Sequence, residues 1–164
     1  MTKENTVKTQ GEGRSTWAQT LYDELNALPS ASRLSNEQLE VIYAMGYTHL
    51  TQRQYDQALS FFLVLSLYGA TRRHYLMGLA YCLQMLERYD EAIDKYSLAL
   101  VLHPKRYDAA LRIVECYLAL ENLEEARSML GWLEEIDRAS PQGQPWGGKV
   151  KALREVLGAK RSKD

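Results

Sequence analysis

The chain has 164 residues, of which 46% are hydrophobic and 25% charged, and it can bury the core of one globular domain. Its 20 basic and 21 acidic residues leave a net charge of −1 without a basic cluster, which argues against a nucleic-acid-binding protein. Residues 1–14 lack the apolar run of a signal peptide, and the longest apolar run, residues 59–70, is too short to span a bilayer. We therefore expect a soluble, cytoplasmic protein.

The first predicted element follows a polar stretch, residues 1–14, which we expect to be disordered. Residues 15–28 carry apolar side chains at helical spacing, which predicts an amphipathic leading helix with Trp17, Leu21, Leu25 and Leu28 on one face. Ser35 and Gln38 match the capping-box pattern and predict the start of the first helical pair.

The central part of the chain repeats with a period of 34 residues. Ala58, Ala92 and Ala126 each have a large apolar residue three positions earlier and another four positions later. These flanking residues are Tyr55 and Phe62, Tyr89 and Tyr96, and Leu123 and Leu130. Earlier in the same register, at 45–46, 79–80 and 113–114, a large residue precedes a small or β-branched one, which lets two antiparallel helices approach closely. Three matches in one register predict tetratricopeptide repeats, each a pair of helices.

The predicted fold is an all-α tetratricopeptide-repeat superhelix. Its three helix pairs are expected at about 39–52 with 54–68, 73–86 with 89–102, and 107–120 with 123–136, within repeats 39–72, 73–106 and 107–138. A breaker segment, ASPQGQPWGG at 139–148, precedes a capping helix at 149–158 whose apolar side is Val150, Leu153 and Leu157. Residues 15–158 are thus expected to form one domain, followed by a basic tail, 159–164.

The sequence offers no pattern for catalysis or for a metal site. His49, His74 and His103 occupy unrelated helical positions, and there is no glycine-rich phosphate loop. Cys82 and Cys116 are far apart and are expected to be reduced packing residues. We therefore expect a binding protein that uses no cofactor and is not an enzyme.

The first helix of each pair is expected to line a concave groove that holds the ligand. The register points the following side chains into it: Tyr43, Tyr47, Leu50, Met77, Tyr81, Gln84, Met85, Leu111, Glu115 and Leu118. The alternative for each is packing only against neighbouring helices. An apolar, aromatic groove suits an extended peptide with hydrophobic anchors. A clamp for an acidic peptide terminus would need Lys and Asn at these positions, and neither occurs there.

The second helix of the first pair has an unusual outer face. Residues 59–68, LSFFLVLSLY, are apolar nearly all round, and Phe61, Val64 and Tyr68 are expected to point outward. The apolar face of the leading helix, which carries Trp17, Leu21 and Leu25, would cover this stripe either within one chain or across the two-fold axis of a dimer.

The chain resembles the class II chaperones of bacterial type III secretion, which carry pore-forming translocator proteins, in three segments: LEVIYAMGYTHLTQRQYDQALSFFLVL, YLMGLAYCLQMLERYDEAIDKYSLAL and IVECYLALENLEEARSML. The resemblance spans residues 35–133 and includes Leu39, Tyr43 and Tyr55, the GLAYCLQ run and the EC-Y-L run of the third repeat. The family also has an extra helix before three repeats. Two departures are Gln52-Arg53, where the family commonly has Gly, and the 139–148 loop with Trp146.

The resemblance implies a cytoplasmic chaperone that keeps an apolar, membrane-inserting client soluble until export. Family members bind a short extended segment, with prolines and a leucine, in the groove. This implies a binding role for Tyr43, Tyr47, Leu50, Met77, Tyr81 and Met85. The resemblance also favours a homodimer through the leading helix and the first repeat. Two alternatives remain: a scaffold that joins two folded proteins, and a chaperone for a needle subunit.

Overall fold

A computed structural model describes residues 15–140 and 142–161, which form eight α-helices and one short 3₁₀ helix. In chain order the elements are α1 (Thr16–Asn26), the 3₁₀ helix (Pro29–Ser32), α2 (Asn36–Thr51), α3 (Tyr55–Tyr68), α4 (Arg73–Met85), α5 (Tyr89–Leu102), α6 (Asp108–Ala119), α7 (Leu123–Ala139) and α8 (Gly147–Arg161). Within these ranges no strand occurs, and the all-α class is confirmed.

The helices from α2 to α8 form a stack in which each one packs against the next along the chain. The leading helix α1 departs from this order, because it lies against α5, while the 3₁₀ helix lies against α3. Two contacts fix α1 there. The Thr71 hydroxyl donates a hydrogen bond of 2.7 Å to Oδ1 of Asn26, and the rings of Tyr22 and His103 meet edge to face with centroids 6.4 Å apart.

Small residues set the distance between neighbouring helices. Ala58, Ala92 and Ala126 are completely buried, as their register predicts. At Gly46 in α2, an added Cβ would stand 2.9 Å from Cβ of Phe61, and at Gly78 in α4 it would stand 2.1 Å from the Phe62 ring. Contacts that short do not occur between real side chains, so α3 packs directly on the glycine backbone of both α2 and α4.

The three repeats use the same turn between their two helices. Arg53, Glu87 and Glu121, spaced 34 residues apart, have φ of 60°, 60° and 59°, in the left-handed region. The amide of the following residue donates to a carbonyl five positions back, from Gln54 to His49 in the first repeat, at 2.9 Å. The equivalent bonds are Arg88 to Leu83 and Asn122 to Tyr117, also 2.9 Å. This is the Schellman ending of a helix, formed without glycine.

The ends of the elements differ from the prediction by a few residues. The leading helix ends at Asn26 instead of 28, since Pro29 disfavours helical geometry in the residue before it. The capping box at Ser35 is confirmed, with bonds of 2.9 and 3.2 Å to Gln38, and it starts α2 at Asn36, three residues before the predicted start.

The C-terminal helix differs most, and α7 also continues to Ala139, three residues beyond its predicted end. Helix α8 begins at Gly147, inside the predicted breaker segment, and continues to Arg161, inside the predicted tail. The Trp146 carbonyl accepts from the amides of Lys149 and Val150 and starts its first turn. The expected disorder of residues 1–14 and the tail end, 162–164, lie outside the described residues.

The buried apolar residues form two clusters that meet at α6. The first extends from α2 to α6, and the second joins α6 and α7 to Val150 and Leu157 of α8. Cys82 and Cys116 are buried free thiols in the first cluster, and burial raises the pKa of each to about 12, which keeps them protonated. None of the helices in the described ranges has the length and apolar character needed to cross a membrane.

Candidate functional site

The inward-facing side of α2, α4 and α6, called the groove face below, has an aromatic group at its first-repeat end. The ring of Tyr43 stacks on Tyr47 with centroids 5.9 Å apart and meets His74 edge to face at 4.9 Å. Its other side meets Phe62 at 5.9 Å. Burial raises the pKa of Tyr43, and the neighbouring Tyr47 and Glu40 add to the effect, so its phenol stays neutral.

The six residues implied by the resemblance differ in exposure. Tyr47 is 51% exposed and Met85 41% exposed, so both present apolar surface to solvent. The other four are half-buried and contribute both to the surface and to packing: Tyr43, Leu50, Met77 and Tyr81. All six therefore reach the surface of the helices that line the groove face, and none is a fully buried core residue.

One edge of the groove face is fixed by an ionic group around Glu40. Oε1 of Glu40 accepts from the Tyr75 hydroxyl at 2.9 Å and from Arg72 at 3.2 Å, and it lies 3.6 Å from Nε2 of His74. Burial lowers the pKa of His74 and outweighs the opposing effect of Glu40. His74 is thus held in its neutral form, with its ring against those of Tyr43 and Tyr75.

The third repeat contributes less to the groove face than the register predicts. Leu111 and Leu118 are only 4% and 5% exposed, because they lie in the cluster that includes Val150 and Leu157 of α8. Helix α8 packs on α6 and α7 as the first helix of a further repeat would. The expectation that these two leucines line the groove is therefore wrong.

The end of the groove face next to α8 is polar. Gln84, Arg112, Glu115 and Lys149, called the polar end below, form one hydrogen-bonded group. Glu115 accepts from Lys149 at 2.6 Å, from Arg112 at 2.9 Å and from Gln84 at 3.2 Å. Burial raises the pKa of Glu115, but the bond from Lys149 and the charge of Arg112 outweigh it, and the net shift is downward. The carboxylate is ionised at neutral pH.

The polar end is joined to the apolar part of the groove face. The guanidinium of Arg112 lies 5.1 Å from the centre of the Tyr81 ring, and the hydroxyl of Tyr96 donates to Gln84 at 2.8 Å. The repeat register predicts Gln84 and Glu115 in the groove but does not predict Arg112 or Lys149 there. Arg112 could have been predicted from its i,i+3 spacing to Glu115. Lys149 belongs to α8, and the position of that helix is set by the loop before it.

Among residues 15–140 and 142–161, no helix covers one side of the first repeat. Val41 and Met45 of α2 are 61% and 49% exposed, and beside them the ring of Phe61 from α3 stacks on His49 at 5.3 Å. Val64, one turn further along α3, is 40% exposed. Val41, Met45, Phe61 and Val64 are called the open face below.

The residues expected at a dimer interface fall into two groups. Trp17, at 61% exposure, and Val64 are exposed, while Phe61 is half-buried. Leu21, Leu25 and Tyr68 are also half-buried, and they pack against the core of their own chain. The outward stripe of α3 is also broader than predicted, because Leu63 and Leu67 are 51% and 59% exposed. The leading helix does not cover this stripe within the chain, since it lies against α5.

The other two histidines each make a hydrogen-bonding contact within the chain. His103 contacts the Thr71 carbonyl at 2.9 Å, and His49 contacts Gln54 at 2.6 Å. Across residues 15–140 and 142–161, no three His, Cys, Asp or Glu side chains converge on a possible metal position.

Known proteins with the same architecture are type III secretion chaperones. A tetratricopeptide-repeat family model matches residues 83–145. The low calcium response locus protein H of Yersinia pseudotuberculosis is 25% identical over 79% of this chain and 77% of its own length. PcrH of Pseudomonas aeruginosa, solved in complex with the chaperone binding region of PopD, superposes with a TM-score of 0.70 at 26% identity, over 79% of this chain and 97% of PcrH.

SycD of Yersinia enterocolitica, a type III secretion translocator chaperone, gives two further matches. One structure contains a peptide of the translocator YopD, and the other is an alternative dimer of SycD. Each has a TM-score of 0.69 at 25% identity and covers 79% of this chain and 99% or 98% of SycD. Sequence and architecture agree over most of both chains. In sequence and architecture this protein is therefore similar to the class II chaperones of type III secretion, which contain tetratricopeptide repeats.

Proposed function

We propose that the protein is a cytoplasmic chaperone for a secreted, membrane-inserting translocator and that it acts by binding, not by catalysis. An extended apolar segment of the client lies along the groove face, with anchors at Tyr43, Tyr47, Leu50, Met77, Tyr81 and Met85. The client stays soluble and competent for export because its apolar segments are occupied. Residues 15–158 act as one binding unit.

The observation that carries this proposal is the exposed apolar surface of the groove face. Tyr47 and Met85 remain 51% and 41% exposed on this face. Aromatic and methionine side chains suit extended peptides, since Tyr offers a large rigid surface and Met adapts to irregular partners. SycD, which has this architecture, has been solved with a peptide of its translocator.

Co-expression separates a chaperone from a scaffold. Candidate translocators encoded in the same bacterium are produced with and without the protein, and their soluble fractions are compared. A chaperone raises the soluble fraction of an apolar client, whereas a scaffold leaves the solubility of its partners unchanged. Needle subunits tested in parallel address the remaining alternative. Cell fractionation before export checks the cytoplasmic location.

A single substitution tests the groove face itself. Tyr47→Ala should weaken client binding by about 2 kcal/mol or more, the effect of removing an aromatic anchor at an interface. Trp132→Ala is the matched control, because Trp132 is a 39% exposed aromatic residue of α7 that lies outside the groove face. Affinity is measured by calorimetry and folding by circular dichroism. Equal affinities for the two variants would refute the groove assignment.

We also propose that two copies associate through the open face and that the exposed Trp17 of α1 takes part in the association. Phe61 and Val64 correspond in register to Met129 and Trp132, which line a cavity together with Leu100 of the preceding α5. At the start of the stack that preceding helix is missing, so a second copy supplies the apolar cover. SycD has been solved as a dimer of this fold. The open face and the groove face are different surfaces, which leaves the groove free for a client.

A further inference from the structure

We infer that the polar end of the groove is a carboxylate-binding subsite, and that it selects clients with an Asp or Glu beside the apolar anchors. This inference rests on the proposed function of the groove. The apolar residues of the groove alone would accept many apolar sequences. The subsite adds the requirement that the client carry a negative charge.

The polar end contains more positive than negative charge. Arg112 and Lys149 are two cations, and Glu115 is the one carboxylate bonded to both. The other members of the group, Gln84 and Tyr96, are neutral amide and phenol groups. One positive charge is therefore left uncompensated within the group. An acidic side chain placed there gains an attraction that a neutral one does not.

The cations of the polar end have more hydrogen-bond donors than the group itself uses. Glu115 accepts three bonds and is only 22% exposed at its side chain, so it has little capacity for another donor. Arg112 has five N–H groups and donates one of them to Glu115, and Lys149 has three and donates one. Both remain partly exposed, at 37% and 42% of their side chains. The polar end thus has more unused donors than unused acceptors.

Two contacts hold the guanidinium of Arg112 in position. Its guanidinium is held between the Tyr81 ring, 5.1 Å away, and Glu115. Tyr81 belongs to the apolar part of the groove face, so a peptide that contacts this ring passes beside the guanidinium. A cation held in place loses less conformational entropy on binding than a free surface side chain.

Selection from a phage-displayed library of random peptides tests the inference. The wild-type protein should enrich peptides in which an Asp or Glu stands at a fixed offset from apolar anchors. Arg112→Gln and Lys149→Gln should keep the apolar anchors and lose the acidic residue. Arg154→Gln is the control, because Arg154 is 36% exposed and paired with Glu134 of α7 at 2.8 Å, away from the polar end. That variant should still select the acidic residue.

Affinities then give the size of the effect. For the best selected peptide and its Asp→Asn counterpart, the wild type should show about a fivefold preference for Asp at low salt. The preference should shrink with added salt and fall below about twofold in Arg112→Gln, while Arg154→Gln retains it. Melting curves by circular dichroism confirm that each variant is folded, and Lys149→Gln provides the second test if Arg112→Gln is not.

The results distinguish failure of the carboxylate subsite from failure of the groove as a binding site. Apolar anchors selected without an acidic residue, or an acidic preference unchanged in both groove variants, would overturn the carboxylate subsite and leave the apolar groove standing. Selection that Tyr47→Ala does not alter would overturn the groove itself and the subsite with it.

Discussion

The first repeat and the two that follow share one sequence pattern but have different surroundings. In α4 and α6 the side chains that point back toward the preceding repeat are fully buried, as at Leu79 and Ile113, each 1% exposed. The equivalent residue of α2, Met45, is 49% exposed. The same holds four positions earlier, where Tyr75 is completely buried and Val41 is 61% exposed.

The exposure of a side chain in a solenoid therefore depends on where its repeat lies in the stack. Each repeat completes the core of its neighbour, and the first repeat lacks a neighbour on one side because α1 lies against α5. A large residue at the register position of Met45 is therefore a core residue in two repeats and a surface residue in the first. Only the first is available for association with another chain.

The strongest test compares truncation at equivalent positions. Leu79→Ala should lower the free energy of unfolding by about 2–5 kcal/mol, since it removes a buried side chain between two repeats. Met45→Ala should lower it by less than about 0.5 kcal/mol, because the side chain is exposed in a single chain. Urea unfolding of both variants at submicromolar concentration, where association is weak, measures the contrast. Equal losses would show that the open face is covered within the chain.

The second test asks whether the open face associates. Met45→Glu should place a charge in the proposed interface and weaken dimerisation by at least about tenfold, the effect of roughly 1.4 kcal/mol. Val156→Glu on α8, which is 46% exposed, introduces the same charge elsewhere and should leave the dimer intact. Analytical ultracentrifugation at micromolar concentration distinguishes them. A wild type that remains monomeric would refute the dimer, and a dimeric Met45→Glu would move the interface to another surface.

Much of the fold follows from the sequence because it depends on local spacing. Ala58, Ala92 and Ala126 fix the register, and all three are completely buried. The second helix of each pair begins within one residue of the position that this register predicts. The capping box at Ser35 is equally local, since both partners lie within one turn. These features involve residues a few positions apart, and their geometry is set by the helix itself.

The candidate site was less predictable because it depends on which helices meet. Lys149 reaches Glu115 only because α8 packs on α6, a placement set by the loop before it. The same packing buries Leu111 and Leu118, which the register alone assigns to the groove. The docking of α1 on α5 likewise involves a long-range contact, the edge-to-face meeting of the Tyr22 and His103 rings.

The smallest expected effect concerns a feature that all three repeats share, the turn between their helices. Arg53 in the first repeat and Glu87 in the second both have φ of 60°, a conformation that costs a residue with a side chain about 1–2 kcal/mol. Glycine adopts it freely, although it loses about 0.5–1 kcal/mol more conformational entropy on folding. Arg53→Gly and Glu87→Gly should therefore each stabilise the protein by about 0.5 to 1 kcal/mol.

The two gains should be similar, in contrast to the pair of truncations, because the turn is local and does not depend on a neighbouring repeat. Lys105→Gly is the control, since Lys105 is an exposed loop residue without a positive φ, where glycine should destabilise. Urea unfolding at one fixed protein concentration measures all three variants. A loss for Glu87→Gly comparable to that of Lys105→Gly would show that the left-handed turn carries no strain. A gain confined to Glu87→Gly would show that the stack, and not the turn alone, sets the strain.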